Sequence, residues 1–234
     1  LCFWLAFGLL NLPQKSSVWL ILKKPWAFVI FYLAIAGASF MADRFGLNAH
    51  LWFYPHYQGM GLLWVWLVLY PFAELAVLEL FYFLGAFFGE QLRFMHRPAT
   101  KAHMFLDASE SVLFLVMVAL FTLGAVQVTG VAHLSLALAV SLCWLILAAL
   151  KLFFHLQHPG HFALLVALAG VLATLSHEFP NLGASEWIYL EAPFSGFSNL
   201  LLFSLPVWVW IGWYWLVFLP LRLWIFLVLH PKVR

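Results

Sequence analysis

Two acids in this chain stand where a carboxylate is costly. Glu74 and Glu79 lie in an apolar run among Leu, Ala, Val and Phe, and in hydrocarbon a carboxylate costs at least a few kcal/mol unless it is protonated or paired. An acid placed there is a candidate for function. A neutral carboxyl can release a proton to a substrate, and Glu74, one helical turn past Pro71, is the candidate proton donor. Glu79 is the second intramembrane acid and is expected to border the same site.

Two further acids, Asp43 and Glu178, open a pattern that occurs twice. Asp43, Trp52, Tyr54, Gly61 and Pro71 match Glu178, Trp187, Tyr189, Gly196 and Pro206 at a constant offset of 135 residues. The rare Trp, together with Gly and Pro at matched positions, points to a duplicated unit. An acid beside Trp and Tyr could combine proton transfer with stabilisation of a cation, since an aromatic face attracts positive charge by roughly 0.5–2 kcal/mol. The expected site therefore has Glu74, Asp43 and Glu178 as catalytic acids. Trp52, Tyr54, Gly61, Pro71, Glu79, Trp187, Tyr189, Gly196 and Pro206 are its expected binding positions. Trp64, Trp66, Trp208, Trp210, Trp213 and Trp215 are expected in the interfacial belt, where Trp is common.

The histidines offer a different chemistry. His96, His103, His155, His158 and His161 fall in one layer and could bind haem, iron or copper. The tight HxxxH and HxxHH boxes of membrane di-iron enzymes are absent, however, and His161 follows a break at Pro159 and Gly160. No metal or cofactor is expected. Cys2 and Cys143 are too few for a disulfide network and are expected as reduced, packed thiols.

The elements that must position these groups follow from composition. With 66% hydrophobic and 9% charged residues and a mean hydropathy of +1.01, the 234 residues have too little polar surface to cover a soluble globule. The expected fold is all-α, a polytopic integral membrane bundle of about six transmembrane helices with an internal tandem repeat. Its partners include membrane lipid, and nothing in the sequence indicates a nucleic acid. Spans are expected at Trp26 to Met41, Gly61 to Phe88 with a kink at Pro71, Asp107 to Val128, and His133 to Phe154. A short fifth span ends at Ser176, and a last apolar run covers Phe197 to Leu229. Residues 1–25 form an interfacial or partly inserted segment, 26–130 the first half of the repeat and 131–234 the second. Ten of the eleven Lys and Arg fall on one side of such a bundle. The positive-inside rule then places both termini in the cytoplasm of a bacterial-type inner membrane.

At the D-x8-W-x-[FY]-x6-G signature followed by P-x-x-E, the chain resembles the integral-membrane lycopene cyclases of the heterodimeric or fused type. Those proteins are built from two related small helical domains, each with such a loop and a Pro-x-Glu-Glu box. The box falls on Pro71, Phe72, Ala73 and Glu74, which keep one of the acids, and on Pro206, Val207, Trp208 and Val209, which keep neither. The resemblance implies a redox-neutral, lyase- or isomerase-type reaction on a hydrophobic polyene. An acid protonates a terminal alkene, the carbocation closes a six-membered ring and a base removes a proton. Glu74 would be the acid, Asp43 or Glu178 its partner, and Trp52, Tyr54, Trp187 and Tyr189 the walls. No nucleotide cofactor is implied. The alternative is a non-enzymatic subunit of a larger membrane complex that holds pigment, haem or lipid. A third reading is a His-ligated membrane oxygenase.

Overall fold

The computed structural model describes residues 2–12, 16–88, 101–126, 130–155, 159–190 and 200–224. The protein is an all-α polytopic membrane bundle with six helices long and apolar enough to cross a bilayer. Two short helices, α1 (Cys2–Leu10) and α2 (Ser17–Lys23), precede the first span, α3 (Pro25–Asn48). The second span joins α4 (Met60–Trp64), a π-helical turn at Val65–Leu69 and α5 (Tyr70–Phe87). Then come α6 (Lys101–Val126), α7 (Val131–His155), α8 (Pro159–Ala184) and α9 (Val207–Trp224). Among the described residues four two-residue strands lie between helices: β1 (Trp52–Phe53), β2 (Ile188–Tyr189), β3 (Leu201–Leu202) and β4 (Leu205–Pro206).

Each acid of the repeated pattern lies inside a helix and not at its edge. The first span runs seven residues beyond its expected end at Met41, to Asn48, and the fifth runs to Ala184 and not Ser176, so Asp43 and Glu178 are intrahelical. Both helices are followed by a residue of positive φ. His50 (φ 53°) and Ser185 (φ 51°), which are 135 residues apart, take the left-handed conformation just beyond them. After α3 the His50 N–H donates to Leu47 O (3.1 Å) and the Leu51 N–H to Gly46 O (2.9 Å). These are the paired bonds of a Schellman stop.

The chain segments that follow these stops meet. β1 and β2 pair antiparallel with Trp52 opposite Tyr189 and Phe53 opposite Ile188, and the Leu190 N–H donates to Leu51 O (2.8 Å). Because Phe53 and Ile188 are themselves 135 apart, the register is centred on one pair of matched positions. A local twofold relation between the two segments follows from that centring. The twofold-related bond would need an N–H at Pro55, which has none.

Pro71 interrupts the second span as expected, and the break is a π-turn. Proline offers no N–H to the carbonyl four residues back, and the freed Leu67 O accepts instead from the Tyr32 hydroxyl of α3. Within the last apolar run β3 and β4 form a hairpin at residues 201–206, and helix begins at Val207, just past the expected break at Pro206. Cys2 and Cys143 are exposed on the surface, not packed, since their helix faces point away from the core.

The N-terminal segment packs onto the bundle through Glu79. Its Oε1 accepts from the Ser17 N–H and Oγ–H (both 2.6 Å), and its Oε2 from Asn11 Nδ2 (2.9 Å). Trp4 Nε1 donates to the same Ser17 hydroxyl (2.8 Å), and the Trp4 ring lies 5.0 Å from that of Phe72. Glu79 is thus the acceptor on which the α1–α2 turn is assembled. Glu79→Ala, which orphans these donors, is expected to cost about 1–3 kcal/mol and to open the turn to protease. An unchanged unfolding midpoint in detergent titration, with no new cleavage near residue 12, would contradict this.

Candidate functional site

The first acid sits in a cage of aromatic donors. Asp43 is 2% exposed, and its Oδ1 accepts from Trp52 Nε1 (2.9 Å), the Tyr54 hydroxyl (2.5 Å) and the Tyr70 hydroxyl (3.1 Å). Its Oδ2 accepts from Trp66 Nε1 (2.5 Å), and the hydroxyls of Tyr54 and Tyr70 are 2.7 Å apart. A deprotonated carboxylate is an acceptor with no hydrogen to give, and this set matches that form. Gly46 makes the approach feasible. The Trp52 ring lies where a Cβ at position 46 would stand, so the indole can reach back to an acid one turn earlier on α3.

The second acid is treated alike. Glu178 is fully buried; its Oε1 accepts from the Tyr189 hydroxyl (2.6 Å) and Trp213 Nε1 (2.8 Å), and its Oε2 from Trp187 Nε1 (3.3 Å). Asn181 fixes the strand that brings these rings in, accepting from the Trp187 N–H (3.0 Å) and donating to Trp187 O (2.9 Å). Trp208 lies between the cages, stacked on Trp52 (6.2 Å) and edge-on to Tyr189 (5.2 Å).

Glu74 differs from both. It is 1% exposed; among the described residues its one hydrogen bond joins Oε1 to Ser39 Oγ (2.5 Å), and Oε2 is buried with no partner there. Ser39 Oγ also lies 2.9 Å from Ile35 O. The hydroxyl has one hydrogen for two acceptors. If it serves Ile35 O, the short bond takes its hydrogen from Glu74, which is then a neutral acid. Thr174 repeats the serine's backbone bond, donating to Gly170 O (2.8 Å), 135 residues on from Ser39.

The expected binding positions are only partly assembled. Trp52, Tyr54, Trp187 and Tyr189 converge on the two acids and on each other. Gly61 stands in α4 with Tyr57 as its nearest neighbour, and Pro71 and Pro206 play different parts, the first inside a helix and the second in β4. Gly196 lies outside the described residues. Trp66 and Trp213, expected in the interfacial belt, are buried donors to the acids, whereas Trp64 is 60% exposed. For Trp66 the signal was a Trp pair two positions apart, which turns Trp64 out and Trp66 in; Trp213 and Trp215 both pack inward. Ser39 was missed because a lone Ser in an apolar helix carries no pattern.

An ion cluster around the buried Glu110 also escaped the sequence reading. Glu110 of α6 accepts from Arg222 through both oxygens (3.0 and 2.7 Å), from Lys151 Nζ (3.2 Å) and from Trp144 Nε1 (3.2 Å). Lys151 also pairs with Asp107 (2.6 Å). The cluster's described members, Asp107 and Glu110 on α6, Lys151 on α7 and Arg222 on α9, fasten the three helices together. Among the described residues no group of three or more His, Cys, Asp or Glu is placed to hold a metal. His96 and His158 lie outside the described residues, as do the side chains of His103 and His155, and His161 is exposed.

An apolar crevice of about 30 Å³ lies between α3, α6 and α9, walled by Ala38, Met41, Phe114, Met117, Phe121 and Trp215 among others. Compared with family models, curated proteins and solved structures, the chain matches none.

Tyr54 and Tyr189, which lie in the connecting segments, are held well above the ordinary tyrosine range, first by burial and then by the neighbouring carboxylates of Asp43 and Glu178. In the unfolded chain both ionise near 10. The unfolded state therefore binds fewer protons than the folded one above that pH. Their contribution to stability is complete below about pH 10 and is lost as pH rises from there towards the raised folded values. Unfolding midpoints should fall above pH 10 in the wild type and less steeply in Tyr54→Phe. Equal slopes would contradict the assignment.

Proposed function

We propose that this membrane protein acts on a linear, apolar polyene, protonating a terminal alkene through Glu74 and closing the end group by carbocation cyclisation. The observation that carries the reading is Glu74 itself: a buried carboxyl with one serine partner and one bare oxygen, in a helix already broken by a π-turn. Such turns frequently mark functional sites. The proton leaves Glu74 for the alkene carbon, the ring closes on the cation, and a proton returns from carbon to a base, so no electrons are exchanged. The resemblance at Asp43, Trp52, Tyr54, Pro71 and Glu74 supplies the substrate class. Asp43 and Glu178, each saturated with donors, fit the role of fixed negative charges that favour a nearby cation better than that of a first acid.

We place the two helix–loop–helix units, α3 to α5 and α8 to α9, as copies of one ancestral unit about a twofold axis, with both termini cytoplasmic. Support comes from the centred β1–β2 register, the paired left-handed stops and the matched Ser39 and Thr174.

The second reading is a non-enzymatic subunit that holds a pigment or lipid. It is favoured by the second copy of the box, at Pro206, Val207, Trp208 and Val209, which keeps neither acid.

Expression in lycopene-accumulating cells separates the readings. Cyclised carotenoids should form with the wild type and fall at least about 100-fold in Glu74→Gln, as expected when a general acid is removed. Unchanged lycopene with a polyene co-purifying would favour the holding subunit. Unchanged lycopene with no bound polyene would remove the cyclase and the polyene-holding subunit.

A further inference from the structure

We propose that Tyr54, Asp43 and Tyr70 form the proton-entry path that recharges Glu74, an inference that rests on the reading of Glu74 as a proton donor. The argument begins with two helices that carry polar pairs in register. On α3, Ser39 and Asp43 are one turn apart; on α5, Tyr70 and Glu74 are one turn apart. Asp43 meets Tyr70 at 3.1 Å, and Ser39 meets Glu74 at 2.5 Å. Two polar rungs therefore cross the same helix interface, separated by a single turn, which sets residues four apart at roughly 5–6 Å between Cβ atoms. In the proposed path the glutamate's side chain or one water molecule carries the proton across from the Tyr70 hydroxyl.

The second cage serves as the internal comparison. Glu178 is held by Trp187, Tyr189 and Trp213, the same three donor types that Trp52, Tyr54 and Trp66 present to Asp43. Among the described residues it lacks a second phenol, and the Asn181 amide stands beside it as a further donor. At the offset of 135 the counterparts of Tyr70 and Glu74 are Leu205 and Val209. Matching the helices instead on Trp66 and Trp213, which are 147 apart, gives Val217 and Leu221. On either alignment the extra phenol and the unpaired acid are present together in one half and missing together from the other. A carboxylate cage is evidently complete without that phenol. Tyr70 is therefore explained by what lies beneath it.

The transfer balances. A proton from the loop end adds to the Tyr54 oxygen, and the hydrogen Tyr54 already directs at Asp43 passes to Oδ1. Asp43 hands a proton to the Tyr70 oxygen, and Tyr70 gives its own hydrogen to the Glu74 carboxylate. One proton enters, Glu74 ends as the neutral acid, and the intermediate groups are restored. Arg44, whose guanidinium lies 5.9 Å from the centre of the Trp66 ring, is the other charged group beside this path.

Hydrogen–deuterium exchange of the Glu74 carboxyl tests the path without requiring turnover. The full chain in lipid nanodiscs is moved from H2O to D2O, and the protonated-carboxyl C=O stretch that Glu74→Gln abolishes is followed by infrared difference spectroscopy. The path predicts that the band shifts promptly in the wild type and at least 10-fold more slowly in Tyr70→Phe and Tyr54→Phe. In Tyr32→Phe, which loses a phenol bonded to Leu67 O, it should shift at the wild-type rate. Unchanged or faster exchange in Tyr70→Phe, equal slowing in Tyr32→Phe, or no band assignable to Glu74 would each overturn the proposal. Slowed exchange in a protein that leaves lycopene untouched would keep the path and reject the cyclase chemistry.

Discussion

A carboxylate inside a bundle of apolar helices must find its hydrogen-bond donors within the protein, and this requirement shapes the end of the molecule where α3 and α8 stop. Neither helix supplies the donors itself. Each chain leaves its helix through a left-handed residue, turns back as a short strand, and returns an indole and a phenol to the acid it has just passed. The following helix adds a second indole. Since β1 and β2 can pair only when both strands have turned back, satisfying the two acids also joins the two halves. Trp208, seated between Trp52 and Tyr189, fills the space this leaves.

That arrangement separates the acids into kinds. Asp43, Glu178, Glu79 and Glu110 each receive three or more donors and act as fixed points for packing: the first two join loops to helices, Glu79 anchors the N-terminal turn, and Glu110 ties three helices. Glu74 has one partner and a bare oxygen. Removing a donor from a saturated carboxylate costs stability, whereas an unsaturated one is costly as it stands and persists only where the surrounding packing is strong. The unsatisfied group is thus the place where chemistry is most economically sought.

Much of this was legible in the residues. The six spans followed from hydropathy, and the offset of 135 picked out both acids together with the Trp and Tyr that bind them. It could not extend past the loops, because the connection into α9 contains a hairpin that the connection into α4 lacks, and so the second indoles are 147 apart and not 135. The helix ends were misplaced because Asp43 and Glu178 look like boundary residues until their donors are known. Glu79 looked like a site acid because its partners, Asn11 and Ser17, come from more than 60 residues away. The Glu110 cluster draws on three helices and leaves no local spacing to detect.

The pairing of the two turned-back strands is the claim on which the cages, the twofold relation and the proton path all depend. Phe53 and Ile188 face each other at its centre, and both are more than a third exposed. Directly opposed residues of antiparallel strands have Cα atoms about 4.5–5.5 Å apart, within disulfide reach. In a chain with Cys2 and Cys143 changed to serine, Phe53→Cys combined with Ile188→Cys should form an intramolecular disulfide under mild oxidation while the protein stays folded. Two cysteines that remain separately alkylatable in the folded protein would contradict the account.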